Sequence, residues 1–148
     1  MDPSHDIING PSVILGCAAL LLCLSVQGST ITLVMTLFKG KLRGLVAQQR
    51  SVVAHGVFFA AILVLLMSHL LQIYIWSLFI YFPGIVSSIH TAVLLAGSTY
   101  TTVGFYSDTL PLQWQLLEVT MAVTGLFAFA WSTSIMYALS QQLYRAED

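Results

Sequence analysis

"TYTTVGFYSD", residues 99–108, stands between two long apolar stretches, and its reading decides the fold. Three threonines, a glycine, a serine and an aspartate interrupt a chain of 148 residues that is 57% hydrophobic and only 7% charged. Soluble domains carry about 25% charged residues, so most of this surface is not built for water. The net charge is −1, and there is no basic patch of the kind that binds nucleic acid.

Three segments around this run are long enough for a bilayer, which takes about 20 apolar residues. Residues 12–38 carry no charge, residues 51–82 none beyond His55 and His69, and residues 119–144 none. Residues 85–96 are apolar but too short to span, which suits a re-entrant or interfacial element. The first span reads as a retained helix. It has Asp2 and Asp6 rather than a basic leader before it, and its apolar run is long for a signal peptide. Cys17 and Cys23 lie inside it and read as small apolar fillers.

Charge placement sets the expected orientation. Lys39, Lys41, Arg43 and Arg50 fall in one loop, and the remaining cation, Arg145, follows the last span. Cytoplasmic loops collect Lys and Arg, so residues 39–50 and the C-terminus are expected in the cytoplasm and the N-terminus outside. The expected location is the cell (inner) membrane, multi-pass. Residues 1–51 then hold the outer tail, the first helix and the basic loop. Residues 52–148 hold an outer helix, a re-entrant helix, a loop and an inner helix. The segment 83–111 must start and end on the outer side.

Within that segment, Pro83-Gly84 ends the second helix, and Ser87 or Ser88 can cap a new one. Residues 85–97 read as a short helix dipping inward. Residues 100–106 are strand-type residues with no sheet to join. Bare extended backbone survives at membrane depth only when buried in protein or lining a watery path. One copy has too few helices to bury it, whereas several copies around an axis would. Such backbones can turn carbonyl oxygens toward the axis and replace the water shell of a cation. The Thr102 hydroxyl adds an oxygen, the C-terminal end of the short helix favours positive charge, and Gly104 permits a backbone angle that side chains resist.

At these residues the chain resembles the tetrameric potassium channels, whose filter signature is T-V-G-Y-G. The matching run is Thr101-Thr102-Val103-Gly104-Phe105-Tyr106-Ser107, and the likeness continues through residues 110–134. It is similar to small bacterial members that add one helix before a two-helix pore module, and it covers roughly residues 52–142. The resemblance implies an all-α membrane protein with three transmembrane helices. A re-entrant pore helix and a filter loop would lie between the second and third, in a homotetramer. The filter would comprise Thr102, Val103, Gly104, Phe105 and Tyr106, with K+ held at the carbonyls of Thr102, Val103, Gly104 and Phe105. Gly125 falls where the inner helix of such channels bends; close helix packing is the alternative use of a membrane glycine.

The sequence departs from the pattern at two places. Tyr106 stands where the family has its second glycine and Ser107 where it has an aspartate, with Asp108 one position late. A non-glycine residue in the left-handed conformation costs about 1–2 kcal/mol, repeated in each of four subunits. A filter shortened or widened at its mouth is the expectation, with Na+ beside K+ as the alternative permeant ion.

Other residues have two readings each. Asp108 would form a negative ring at the pore mouth or serve as an ordinary turn residue. Glu118 would support the filter from behind or attract cations, or stay wetted near the outer interface. His55 and His69, 14 residues apart, share a helical face at a spacing too long for one metal site. A neutral histidine bonding a neighbouring helix is the plainer reading for these two and His90, against a proton sensor. Trp76, Tyr81 and Trp114 suit an interfacial aromatic belt, and Trp131 suits packing. Ser132, Thr133 and Ser134 bond back to their own helix or line an inner cavity. Phe127 and Phe129 either pack or narrow that cavity.

The function this favours is a passive cation channel, with monovalent cations, membrane lipid and further copies of the chain as partners and no cofactor. The alternative is a non-conducting or weakly selective channel-like subunit or scaffold. No span carries the spaced arginines of a voltage sensor, and only residues 141–148 follow the third span, so no regulatory domain is expected there. No His/Glu/Asp cluster with ligand spacing and no nucleophile beside a base suggests an enzyme, and no internal inverted repeat suggests a transporter.

Overall fold

The computed structural model describes residues 10–106 and 110–144. Of these, 86% are helical and none forms a strand. Strand-type composition at 100–106 therefore produces no sheet, for want of a partner. Four α-helices follow one another: α1 (Gly10–Ala47), α2 (Ser51–Tyr81), α3 (Ile89–Tyr100) and α4 (Leu116–Tyr144), with a 3-10 turn at Leu112–Trp114 before the last. α1, α2 and the segment ending in α4 are long and apolar enough to cross a membrane, the build of a multi-pass membrane protein. Helices are what such sequences must form, because hydrocarbon offers no partner to an unpaired backbone group.

α1 is longer than its charge-free stretch. It runs through Lys39, Lys41 and Arg43, so most of the basic segment is helix rather than loop. Lys and Arg are good helix formers, and Leu42, Leu45 and Val46 give these turns an apolar face that packs on a core. The helix ends in a Schellman arrangement. Gln49 takes a left-handed φ of 54°, Arg50 N–H donates to the Leu45 carbonyl at 3.0 Å, and Gln49 N–H donates to that of Val46 at 2.9 Å. α2 starts one residue later and stops at Tyr81, just before Pro83-Gly84, where Gly84 adopts φ 73°.

The chain divides into two compact units, each built from parts of α1, α2 and α4. The first holds residues 1–25 and 70–127, including all of α3. Its buried stripe on α1 is Ser12, Gly16, Ala19 and Cys23, small residues that let helices approach closely. A Cβ on Gly16 would lie 3.1 Å from Thr120 Oγ1 and 3.3 Å from Leu117 Cδ2, so α1 packs directly on α4 here. Trp76, expected in an aromatic belt, is instead fully buried in this unit, while Tyr81 is exposed. The second unit holds residues 26–69 and 128–148. Ile31, Val34 and Leu42 of α1, Ala54, Ala61 and Leu65 of α2, and Leu139 and Leu143 of α4 form its apolar core.

Candidate functional site

α3 starts at Ile89 and ends at Tyr100, later at both ends than the expected 85–97. Ser88 occupies the N-cap position with an extended backbone but no side-chain cap bond; its carbonyl accepts the Ala92 N–H at 2.9 Å. Tyr100, read from sequence as the start of the extended run, closes the helix because its side chain is held inside. It is fully buried, and its hydroxyl donates to Gln72 Oε1 at 3.2 Å. On its backbone side sits Gly125. A Cβ there would overlap the Tyr100 carbonyl oxygen and lie 2.8 Å from the carbonyl carbon and 3.1 Å from Cγ. α4 runs on through this point as one helix. Gly125 thus allows close packing of α4 against the residue that precedes the polar run.

The polar run leaves the helix with its first amides still tied to α3. Thr101 N–H donates to the Gly97 carbonyl at 3.1 Å, Thr102 N–H to Thr99 at 3.0 Å, and Gly104 N–H to Ser98 at 3.0 Å. The Thr101 hydroxyl returns to the Gly97 carbonyl at 2.7 Å. Among the described residues positive φ occurs at Gln49, Gly84, Thr102 (61°) and Gly104 (71°). Left-handed backbone therefore recurs two residues apart within the run. At Gly104 it is free of side-chain strain. At Thr102, a β-branched residue, it is an outlier, and such outliers persist only where the surroundings enforce them. Tyr106 is not among the positive-φ residues, so the left-handed angle that the family pattern places there is absent, and the non-glycine residue of the run that carries one is Thr102.

Residues 101–105 are all exposed, Val103 at 68% and Phe105 at 64%. Tyr106 is half-buried, and its ring meets Phe105 edge-on with centroids 5.3 Å apart. Asp108, expected at the mouth, and Ser107 lie outside the described residues. Glu118 sits half-buried in the first turn of α4, where a carboxylate complements the helix dipole. Its N–H donates to the Gln115 carbonyl at 3.0 Å.

A second polar group was not legible in advance. In the second unit Gln27 Nε2 donates to Ser132 Oγ at 2.7 Å, and the Ser68 hydroxyl lies 3.1 Å from Gln27 Oε1. His69 Nε2 is 3.0 Å from Ser132 Oγ. His69 therefore does bond a neighbouring helix, whereas His55 returns to its own Ser51 carbonyl at 2.9 Å and His90 is exposed. Thr133 bonds back to Phe129, but Ser132 reaches across to two other helices. The signal available was Gln27 itself, the only amide side chain in the charge-free first span. No family model, no curated protein and no solved structure matches this chain.

Proposed function

We propose that this protein is the pore-forming subunit of a tetrameric cation channel, with potassium as the preferred ion. One observation carries the reading. An exposed, non-helical run with left-handed backbone at alternate residues, Thr102 and Gly104, directly follows a 12-residue helix in a chain of membrane-spanning helices. Alternating handedness brings successive carbonyls to one side of a strand, and carbonyl rings around an axis replace the hydration shell of an ion. The exposure of Val103 and Phe105 fits a surface that other copies cover. In the tetramer α3 is the re-entrant pore helix, Thr102 to Phe105 supply the ion-facing carbonyls, and α4 is the inner helix.

Tyr106 supports a less selective variant of the same reading. The alternation stops before it, so the outer part of the filter has a different shape from the inner part. A fourfold mass in native mass spectrometry, together with a reversal potential that follows the potassium gradient, is the expected outcome. A monomer or dimer in lipid-like detergent, or current with no cation preference, contradicts it. A fourfold particle that passes no current leaves the scaffold reading in its place.

A further inference from the structure

The junction of Gln27, Ser68, His69 and Ser132 has no part in an ion path made of backbone carbonyls, yet it joins α1, α2 and α4. All four side chains are at least nine-tenths buried, Gln27 completely. Each lies near the middle of its long helix, which in a bilayer is the depth where polar side chains are hardest to place. Gln27 sits at the centre of the junction: its Nε2 donates to Ser132 Oγ, and its Oε1 lies 3.1 Å from the Ser68 hydroxyl, which also reaches its own Leu65 carbonyl at 2.7 Å. Ser132 Oγ lies 3.0 Å from His69 Nε2. His69 in turn lies on the Phe129 ring, with centroids 4.4 Å apart.

Holding the helices together does not require this junction, because the apolar core of the same unit already joins all three. A polar junction adds a discrete contact that is either made or broken. Interhelical hydrogen bonds in membranes are weak, each biasing an equilibrium by about threefold, so this one can open without unfolding the bundle. Space for that exists. A half-open pocket of about 190 Å³ beside the junction is lined by residues that include Ile62, Leu66, His69, Phe129, Ser132 and Met136.

We infer that the junction is a latch through which the first helix holds the inner helix, and that Gln27 is the positioning residue that sets the gating equilibrium. This rests on the channel reading. It assigns α1 a role that a two-helix pore module lacks: α1 is a built-in regulatory element, and its Gln27 amide opposes inner-helix movement at Ser132.

The test is single-channel open probability of the full chain reconstituted in lipid, for wild type, Gln27→Met, Ser132→Ala and the double variant. Each single variant is expected to shift open probability by at least about threefold in the same direction. The double variant is expected to shift it no further than the larger single, with the reversal potential unchanged in all. Unchanged open probability in variants that assemble normally overturns the latch, as do independent effects that multiply in the double. If Gln27→Met fails to assemble, Ser132→Ala decides alone, because it removes only a hydroxyl from the other end of the same bond. A wild type without current removes the channel reading and the latch with it. Current that is indifferent to both residues removes only the latch.

Discussion

The run at 101–106 and the junction around Gln27 are both polar interruptions of apolar helices, and the chain handles them in opposite ways. Around Gln27 the bonding partners come from within the chain, from three helices, and the four side chains are buried. At 101–105 the chain does the reverse. It fixes the start of the run by burying Tyr100 and then leaves five consecutive residues exposed, two of them large and apolar. Buried polar groups must be satisfied locally. The exposed run carries left-handed backbone at Thr102 and Gly104 and, in the proposed function, meets something the single chain does not supply. In the proposed tetramer that something is an ion on one side and neighbouring copies on the other.

The sharpest way to break this contrast is Gly104→Ala. No atom lies within 4 Å of the added Cβ, yet the φ of 71° makes any side chain there strained. The cost is about 1–2 kcal/mol per subunit, multiplied by four copies around one axis. The exposed run can shed that strain by leaving the left-handed conformation, so ion flux should fall to background while the melting temperature of the purified protein moves little. Gly125→Ala should reverse the pattern. Its Cβ meets the Tyr100 backbone, which cannot move aside cheaply, so a thermal melt should show a loss of about 1–3 kcal/mol, with flux reduced as a consequence. Equal responses of stability and flux to both alanines would erase the distinction between shaped loop and packed support.

Two smaller effects sharpen it. Tyr106→Gly should extend the left-handed alternation outward, and bi-ionic reversal potentials should move toward potassium; no movement would mean that Tyr106 already sits in a selective filter. Glu118→Gln keeps the shape of a first-turn side chain and removes its charge. It should lower stability by only about 0.3–1 kcal/mol through the helix dipole, as read by chemical denaturation. A large loss of conductance would instead give Glu118 a direct role in the ion path.

Much of the fold was legible because membrane helices announce themselves by length and lack of charge. All three spans follow from that, and the stop of α2 follows from the Pro83-Gly84 pair. The extension of α1 through Lys39, Lys41 and Arg43 does not, because charge marks the end of the apolar span but not of the helix, which the apolar face of Leu42 and Leu45 continues. Tyr100 was misplaced by its β propensity, which its buried hydroxyl bond to Gln72 overrides. Trp76 was placed at the interface by residue type, and burial in the first unit decided otherwise. In the candidate site, the left-handed backbone of Gly104 was legible from its residue type. The location of backbone strain was not, because φ angles depend on the turn that α3 makes as it ends. The Gln27 junction was invisible for a different reason. Its bonded pairs lie 41 to 105 residues apart, and nothing in a single sequence pairs them.

The central claim is that backbone oxygens of residues 102–105, gathered from four copies, carry a cation across the membrane. Tracer uptake into potassium-loaded proteoliposomes bearing the purified protein tests it most directly, with Gly104→Ala liposomes beside it. The account predicts potassium-driven uptake that disappears in the variant at equal protein incorporation. Uptake that survives Gly104→Ala unchanged, or none from an intact fourfold wild-type particle, would contradict it.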